Sequence, residues 1–325
     1  LSLIASLFIA TPGCAGDFED NPDIKVFIDN MVKHHGFQRE QLTVLFEHAK
    51  KRDDILAAIA RPAEKTRPWH DYRGIFLTPE RIDGGVEFWK DNAAILERAG
   101  SHFDVDPAII VAIIGVETRY GKNTGSYRVI DALTTLAFAY PPRSKFFRDE
   151  LEQFLILTRE EDVDVDTVKG SYAGAMGYGQ FIPSSYRNYA VDFSGDGKRN
   201  LWNDLDDIIG SVANYFHRHG WTQGQPVGAR VTAGSPLENF TVSTTLSPGK
   251  TTAGDYAARG VLTDPKLPAD LPVELLQLEQ ADGPEFWLTG NNFYVITRYN
   301  RSPLYAMAVY QLSQAIHDAY QKSRR

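Results

Sequence analysis

From Ala108 to Val116 the sequence carries no polar side chain, and the next residue is Glu117. A helix of that composition has no face to offer water, so protein must enclose it on nearly every side. Asp106-Pro107 is a helix start, with the Asp able to accept the free amides of the first turn and the Pro tolerated at the first helical position. Gly121 is the stop signal. Glu117 then falls in the last turn, where the carbonyl ends of the helix disfavour an ionised acid and the apolar surroundings push the same way. A carboxyl group kept protonated near neutral pH has the profile of a general acid. The same position also suits a cap residue paired to Arg119 or Lys122, so the neighbours decide.

Those neighbours belong to a chain long enough for two or three folding units, 325 residues with 43% hydrophobic content. Its 34 basic and 42 acidic side chains give a net charge of -8, which argues against a partner held through a phosphate backbone. Fifteen tyrosines suit sugar faces as well as cores. The apolar run at residues 1–10 is shorter than the roughly 20 residues a spanning helix takes and reads as a secretory signal. Cys14 is the single cysteine, so no intrachain disulfide can form. Gly13-Cys14 resembles the end of a bacterial lipoprotein signal, with Cys14 as the lipidated residue, although Thr11 stands where Leu is usual.

Helical periodicity continues from Asn21-Pro22 to Gly36, then over 41–50, 54–60 and 86–99. The aromatic connection 68–76 follows no period. Residues 127–140 carry an apolar pattern up to Pro141-Pro142, and Ser144 opens another helix. The glycine-rich stretch 170–181 lets backbone approach something closely, and its interleaved Tyr, Met and Gln distinguish it from a linker. From Trp221 the periodicity changes: 227–231, 240–244, 273–278 and 293–299 read as strands of a small antiparallel unit. Ser302-Pro303 caps a final helix.

Asp192, Ser194 and Asp196 put side-chain oxygens at positions one, three and five of a loop, with Gly197 at six and the Lys198 carbonyl at seven, the spacing of a calcium loop. Asn203 occupies the twelfth position, where a bidentate Glu is expected, so a slightly longer loop that brings in Asp206 is the better ligand set; a metal-free Asx turn has the same look. A lone loop of this kind points to a structural role. No His or Cys spacing fits zinc, and no nucleophile elbow or phosphate loop is present.

Four motifs taken together, 115–121 (Gly-Val-Glu-Thr-Arg-Tyr-Gly), 170–181, the loop at Asp192, and Tyr299-Asn300-Arg301-Ser302-Pro303-Leu304-Tyr305, strongly resemble the B family of membrane-bound lytic murein transglycosylases. The resemblance implies an α+β, predominantly α fold with a lysozyme-like helical core at 89–221 holding the calcium-type loop at 192–206. Beside it stand a helical domain at 18–88, joined by a C-terminal helix at 302–325, and a small antiparallel β domain at 222–301, behind a signal and tether at 1–17. It implies cleavage of the bond between N-acetylmuramic acid and N-acetylglucosamine, with a 1,6-anhydro sugar end as product and Glu117 as the one catalytic acid. Ser171 would orient that acid and the sugar, with Gln180, Tyr299, Asn300 and Tyr305 lining the cleft, and Tyr72, Arg143, Phe181 and Tyr215 at further groove positions. Pro142 stands where a second basic residue is expected, and the loop carries an extra residue near Asp207.

The implied partners are peptidoglycan glycan strands and the outer membrane, through a lipid on Cys14. The chain is expected to be a periplasmic monomer working with other cell-wall enzymes, with no nucleic acid partner and no catalytic cofactor, calcium being structural. Two rival readings stay open: a muramidase with Asp131 or Glu150 as a second acid, and a non-catalytic wall-binding scaffold that contains calcium.

Overall fold

Caps and prolines set the helix starts that the rest of the architecture depends on. The computed structural model describes residues 17–18, 21–60, 67–232, 237, 240–243 and 246–324; Cys14 and the expected signal lie outside the described residues. Asn21 accepts the Asp23 amide at 3.0 Å to open α1 (Pro22–His35), which closes on Gly36. Then follow α2 (Arg39–His48), α3 (Asp53–Ile59), α4 (Trp69–Phe76), α5 (Pro79–Asp91), α6 (Ala93–Phe103) and α7 (Pro107–Thr118). Beyond α7 come β1 (Tyr127–Arg128), α8 (Val129–Ala139), a 3-10 turn (Pro141–Arg143), α9 (Ser144–Glu160), β2 (Lys169–Gly170), α10 (Pro183–Tyr189) and α11 (Leu205–Arg218). The C-terminal third holds β3 (Gly228–Val231), β4 (Thr251–Thr252), α12 (Ala253–Ala258), β5 (Thr263–Asp264), β6 (Pro272–Gln280), β7 (Gly283–Thr289), α13 (Asn291–Tyr299) and α14 (Pro303–Ser323).

The apolar helix is the axis of this arrangement. Asp106 accepts the Ala108 amide at 2.9 Å, and every residue of α7 from Ala108 to Val116 is buried. It is enclosed by α14, α5, α6 and α11, which explains how a helix without a polar stripe exists in a chain of average composition. No single helix among the described residues is long and apolar enough to cross a membrane; α6 and α7 pass such a test only as a pair bent by 114°, and α7 is core.

Five antiparallel strands form one sheet in the order β4-β6-β7-β3-β5, with Leu275 opposite Leu288 and Gly228 opposite Thr289. Strands β1 and β2 form a separate short antiparallel ladder, with Tyr127 opposite Gly170. One apolar core runs from Phe18 to Tyr320, and a second, smaller cluster around Ala229, Tyr256, Leu275 and Leu288 belongs to the sheet. The molecule is therefore mostly helical with a small antiparallel sheet, as the motifs imply.

Four local expectations change. Residues 293–299 are helical, not extended: α13 buries Asn292, Phe293, Val295, Ile296 and Thr297, and Asn292 ties it to the Thr222 and Gln225 carbonyls at 2.8 and 2.9 Å. Its aromatic and β-branched composition gives a strand propensity that docking overrides. The described part of the expected strand 240–244 is irregular. The single helix expected at 86–99 is two, broken at Asn92, whose amide caps the Phe88 carbonyl at 2.9 Å. The connection 68–76, without a period, contains α4.

Candidate active site

Glu117 stands half-buried in the last turn of α7, and its Oε1 accepts the Tyr305 hydroxyl at 2.5 Å. Tyr305 is buried two residues into α14, whose start is fixed by the Ser302 hydroxyl accepting the Tyr305 amide at 3.3 Å. Burial, and then the charge of Glu117, hold the Tyr305 phenol well above its ordinary range, so it stays a neutral donor. Tyr72, buried on α4, adds a smaller influence in the same direction.

Tyr299 ends α13 close enough to Glu117 that the carboxylate adds to burial in raising its phenol as well. Its hydroxyl donates to the Gly179 carbonyl at 2.6 Å, joining α13 to the glycine-rich segment. Around it pack Tyr215 at 4.7 Å and Phe181 and Phe216 at 5.9 Å between ring centres. Tyr215 is pinned by donating to the Arg298 carbonyl at 2.6 Å and by the His219 ring stacked on it at 4.1 Å. Phe181 is only 2% exposed, so it supports this aromatic wall from behind. Asn300 follows directly, half-buried, its carbonyl accepting the Ser302 amide at 2.7 Å.

The segment 170–181 is a folded turn. Ser171 Oγ accepts the Ala173 and Ala175 amides at 3.3 and 3.1 Å, and Met176 and Phe181 pair by backbone. Gln180 adopts a left-handed φ of 50°, uncommon for a residue with a side chain, and its amide donates to the Gly177 and Thr124 carbonyls at 3.0 and 3.1 Å. The end of α7 is locked to this turn through Thr118, whose hydroxyl lies 2.9 Å from the Tyr178 carbonyl and accepts the Gly121 amide at 3.0 Å. The helix itself ends at Thr118, with Arg119 and Tyr120 left-handed before Gly121. Gly121 has φ 82°, and a Cβ there would meet the Tyr178 ring at 2.0 Å. Arg143 is exposed in the 3-10 turn, its guanidinium 4.2 Å over the Phe146 ring.

Both rival second acids are held by partners within the fold. Asp131 accepts the Lys50 amide at 2.9 Å and pairs with Arg128. Glu150 is buried and accepts the Ser184 amide and hydroxyl at 2.9 and 2.6 Å, with desolvation raising its pKa.

In the calcium-type loop Asp192 accepts the Gly195, Asp196 and Gly197 amides at 2.6, 3.1 and 2.8 Å, and the Gly197 amide is the largest influence lowering its pKa. Ser194 Oγ lies 3.4 Å from Asp192, and the Lys198 amide donates to Asp196 at 2.9 Å. The third acid of the cluster is Asp207, not the expected Asp206: oxygens of Asp192, Asp196 and Asp207 lie within 4.8 Å of one another. One residue along a helix is about 100° of rotation. That turns Asp206 out to Arg98, while Asp207 faces inward to accept the Phe193, Ser194 and Asn200 amides at 2.8, 3.0 and 2.8 Å. A set of hard oxygen donors with glycine at the sharp turn fits calcium. The signal for Asp207 was its place at the third position of α11, where the last ligand of such a loop sits.

A family model described as a transglycosylase SLT domain matches residues 19–314. Membrane-bound lytic murein transglycosylase B of Escherichia coli (strain K12) is 45% identical over 312 residues, 93% of this chain and 84% of its own. Soluble lytic transglycosylase SltB1 from Pseudomonas aeruginosa superposes with a TM-score of 0.86 at 49% identity, covering 92% of this chain and 99% of that one. The Escherichia coli lytic transglycosylase SLT35, solved in complex with calcium, matches with a TM-score of 0.86 at 45% identity over 94% of this chain and 96% of its own.

Proposed function

The chain belongs to the transglycosylase SLT domain family, and we infer that it is a lytic transglycosylase of peptidoglycan in which Glu117 serves as the only acid and then the only base. The observation that carries the reading is the carboxyl group of Glu117 held by the Tyr305 hydroxyl at the end of an enclosed helix, while Asp131 and Glu150 are committed to structural partners.

Glu117 gives its proton to the oxygen linking N-acetylmuramic acid to N-acetylglucosamine, and the bond from that oxygen to C1 breaks as oxocarbenium character develops. Hydrolases of this class place a second carboxylate to aim water or to form a covalent adduct. Here the C6 hydroxyl of the muramoyl sugar attacks C1, with the advantage of a nucleophile tethered to its target. Glu117, now ionised, takes the C6 hydroxyl proton, and a 1,6-anhydro end results. Tyr305 fixes the carboxyl orientation, and the neutral phenols of Tyr305 and Tyr299 let it ionise and reprotonate without a competing phenolate nearby. Ser171, Gln180, Phe181, Asn300, Tyr72, Arg143 and Tyr215 shape the glycan groove around it.

The same reading assigns calcium to Asp192, Ser194, Asp196, Asp207 and the Lys198 carbonyl, where it would neutralise clustered carboxylates and hold the entry to α11; the acidic cluster and the calcium complex of SLT35 support it. It divides the chain into a helical domain at 18–88 with 302–325, a catalytic core at 89–221 and a β domain at 222–301. It also makes Cys14 the lipidated residue of a periplasmic protein tethered to the outer membrane, supported by the relative named as membrane-bound; mass spectrometry of the mature N-terminus checks it.

Glu117→Gln is the direct experiment on function. Turnover of purified murein should fall at least a hundredfold, the lower range of a lost general acid, with sedimentation onto murein retained. Full biological effect in the variant would instead mark a wall-binding scaffold.

A further inference from the structure

Arg81, on α5, is 7% exposed, and among the described residues no ion pair joins it to a carboxylate. Its guanidinium is spent on the end of α7. Nη1 donates to the Gly115 carbonyl and lies 3.5 Å from the Val116 carbonyl, the two peptide oxygens that precede Glu117. Nη2 donates to the Ile75 carbonyl at 3.4 Å, and the guanidinium lies 5.2 Å from the Phe76 ring centre. Tyr120 closes the clasp from the other direction: its hydroxyl donates to the Arg81 carbonyl at 2.7 Å. Gly115 makes the approach possible, since a Cβ there would stand 2.5 Å from that hydroxyl.

Burying an arginine without a counter-charge is costly, and an apolar side chain of similar volume is commonly as stable or more so. The cost falls on a cation set against the last-turn carbonyls, which carry the negative end of the helix; the Gly115 carbonyl already accepts the Arg119 amide at 3.1 Å, and Arg81 is its second donor.

We propose that Arg81 is a positioning residue for the reaction, fixing the last turn of α7 and with it the angle at which Glu117 meets the glycosidic oxygen. This rests on Glu117 being the acid. The positive charge also opposes the negative helix end, so its removal makes Glu117 hold its proton more tightly. Among the described residues the Tyr305 and Tyr299 phenols, from α14 and α13, face Glu117; Tyr72 on α4 acts on Tyr305, Tyr215 on α11 acts on Tyr299, and Arg119, two residues beyond Glu117, acts on Arg81.

The test measures kcat and KM against pH on soluble glycan strands for the full chain, Arg81→Met, Arg81→Lys and Glu117→Gln. Arg81→Met should leave KM within about twofold and lower kcat roughly 10- to 100-fold, the scale of a misplaced catalytic group. Its alkaline limb should move up by about half a pH unit or more. Arg81→Lys should lower kcat less and keep the limb at the wild-type position. An unshifted limb in Arg81→Met, or wild-type kcat in it, overturns the proposal. Should Arg81→Met fail to fold, Arg81→Lys decides: lowered kcat with unchanged KM supports it, while wild-type kcat or a matching rise in KM overturns it. Glu117→Gln that still turns over overturns the catalytic reading itself; an inactive Glu117→Gln beside wild-type-like Arg81 variants overturns only the role of Arg81.

Discussion

The bond between Tyr305 and Glu117 joins residues 188 apart in the chain, and no local pattern reveals it. Helix patterning marked Glu117 and motif resemblance marked Tyr305; what the structure adds is that one holds the other. Tyr305→Phe should therefore lower kcat about 10- to 100-fold, the worth of a hydrogen bond to a charged group, and leave the melting temperature nearly unchanged. Loss of activity only in proportion to lost fold would count against it. A second residue-scale expectation concerns Glu150. Its folded pKa lies above its ordinary value of 4.5 because desolvation outweighs the Ser184 bonds. The folded state thus binds this proton more tightly than the unfolded chain, so the group's contribution to stability is fully present below pH 4.5 and is lost as pH rises through the folded value. Denaturant midpoints followed over that window should fall in the wild type relative to Glu150→Gln. Parallel curves would show that Glu150 is not buried as described.

At the scale of elements, α7 was legible because its composition admits one environment, and the same holds for the Asn21 and Ser302 caps. What escaped was decided by tertiary contacts. Helix α13 looks extended until Asn292 is seen anchoring it to the loop after α11. The short helix α4 has too few turns to show a period, yet it buries Trp69 and delivers Tyr72. The loop was readable as to its first ligands, whereas Asp206 and Asp207 are separated only by the direction each faces on α11. That separation is testable. At free calcium near a hundred times Kd, the folded protein should gain about 2.7 kcal/mol in thermal or denaturant unfolding. The gain should disappear in Asp192→Ala and Asp207→Ala but persist in Asp206→Ala. Persistence in Asp207→Ala would return the ligand role to Asp206. Within α7, Ile113→Ala should cost about 2–5 kcal/mol, since Ile113 is fully buried with neighbours from several helices.

Across the whole molecule, elements distant in sequence converge on one carboxyl group. Helix α7 carries it, α14 and α13 bring the phenols, the 170–181 turn closes the far side through Gly179, and α5 grips the helix end. The net charge of -8 lies on a chain whose proposed substrate is a sugar polymer, so recognition is left to rings and hydrogen bonds. The proposed mechanism asks one carboxyl group to do all the proton transfer, with Asp131 and Glu150 held by structural partners, which makes the fate of water the decisive question. Digestion of purified murein in heavy-oxygen water, followed by mass spectrometry of the released sugar ends, answers it. A lytic transglycosylase with one acid releases 1,6-anhydromuramoyl ends, lighter by one water than a hydrolysis product and free of the heavy isotope; reducing ends carrying one heavy oxygen would mark the enzyme as a hydrolase instead.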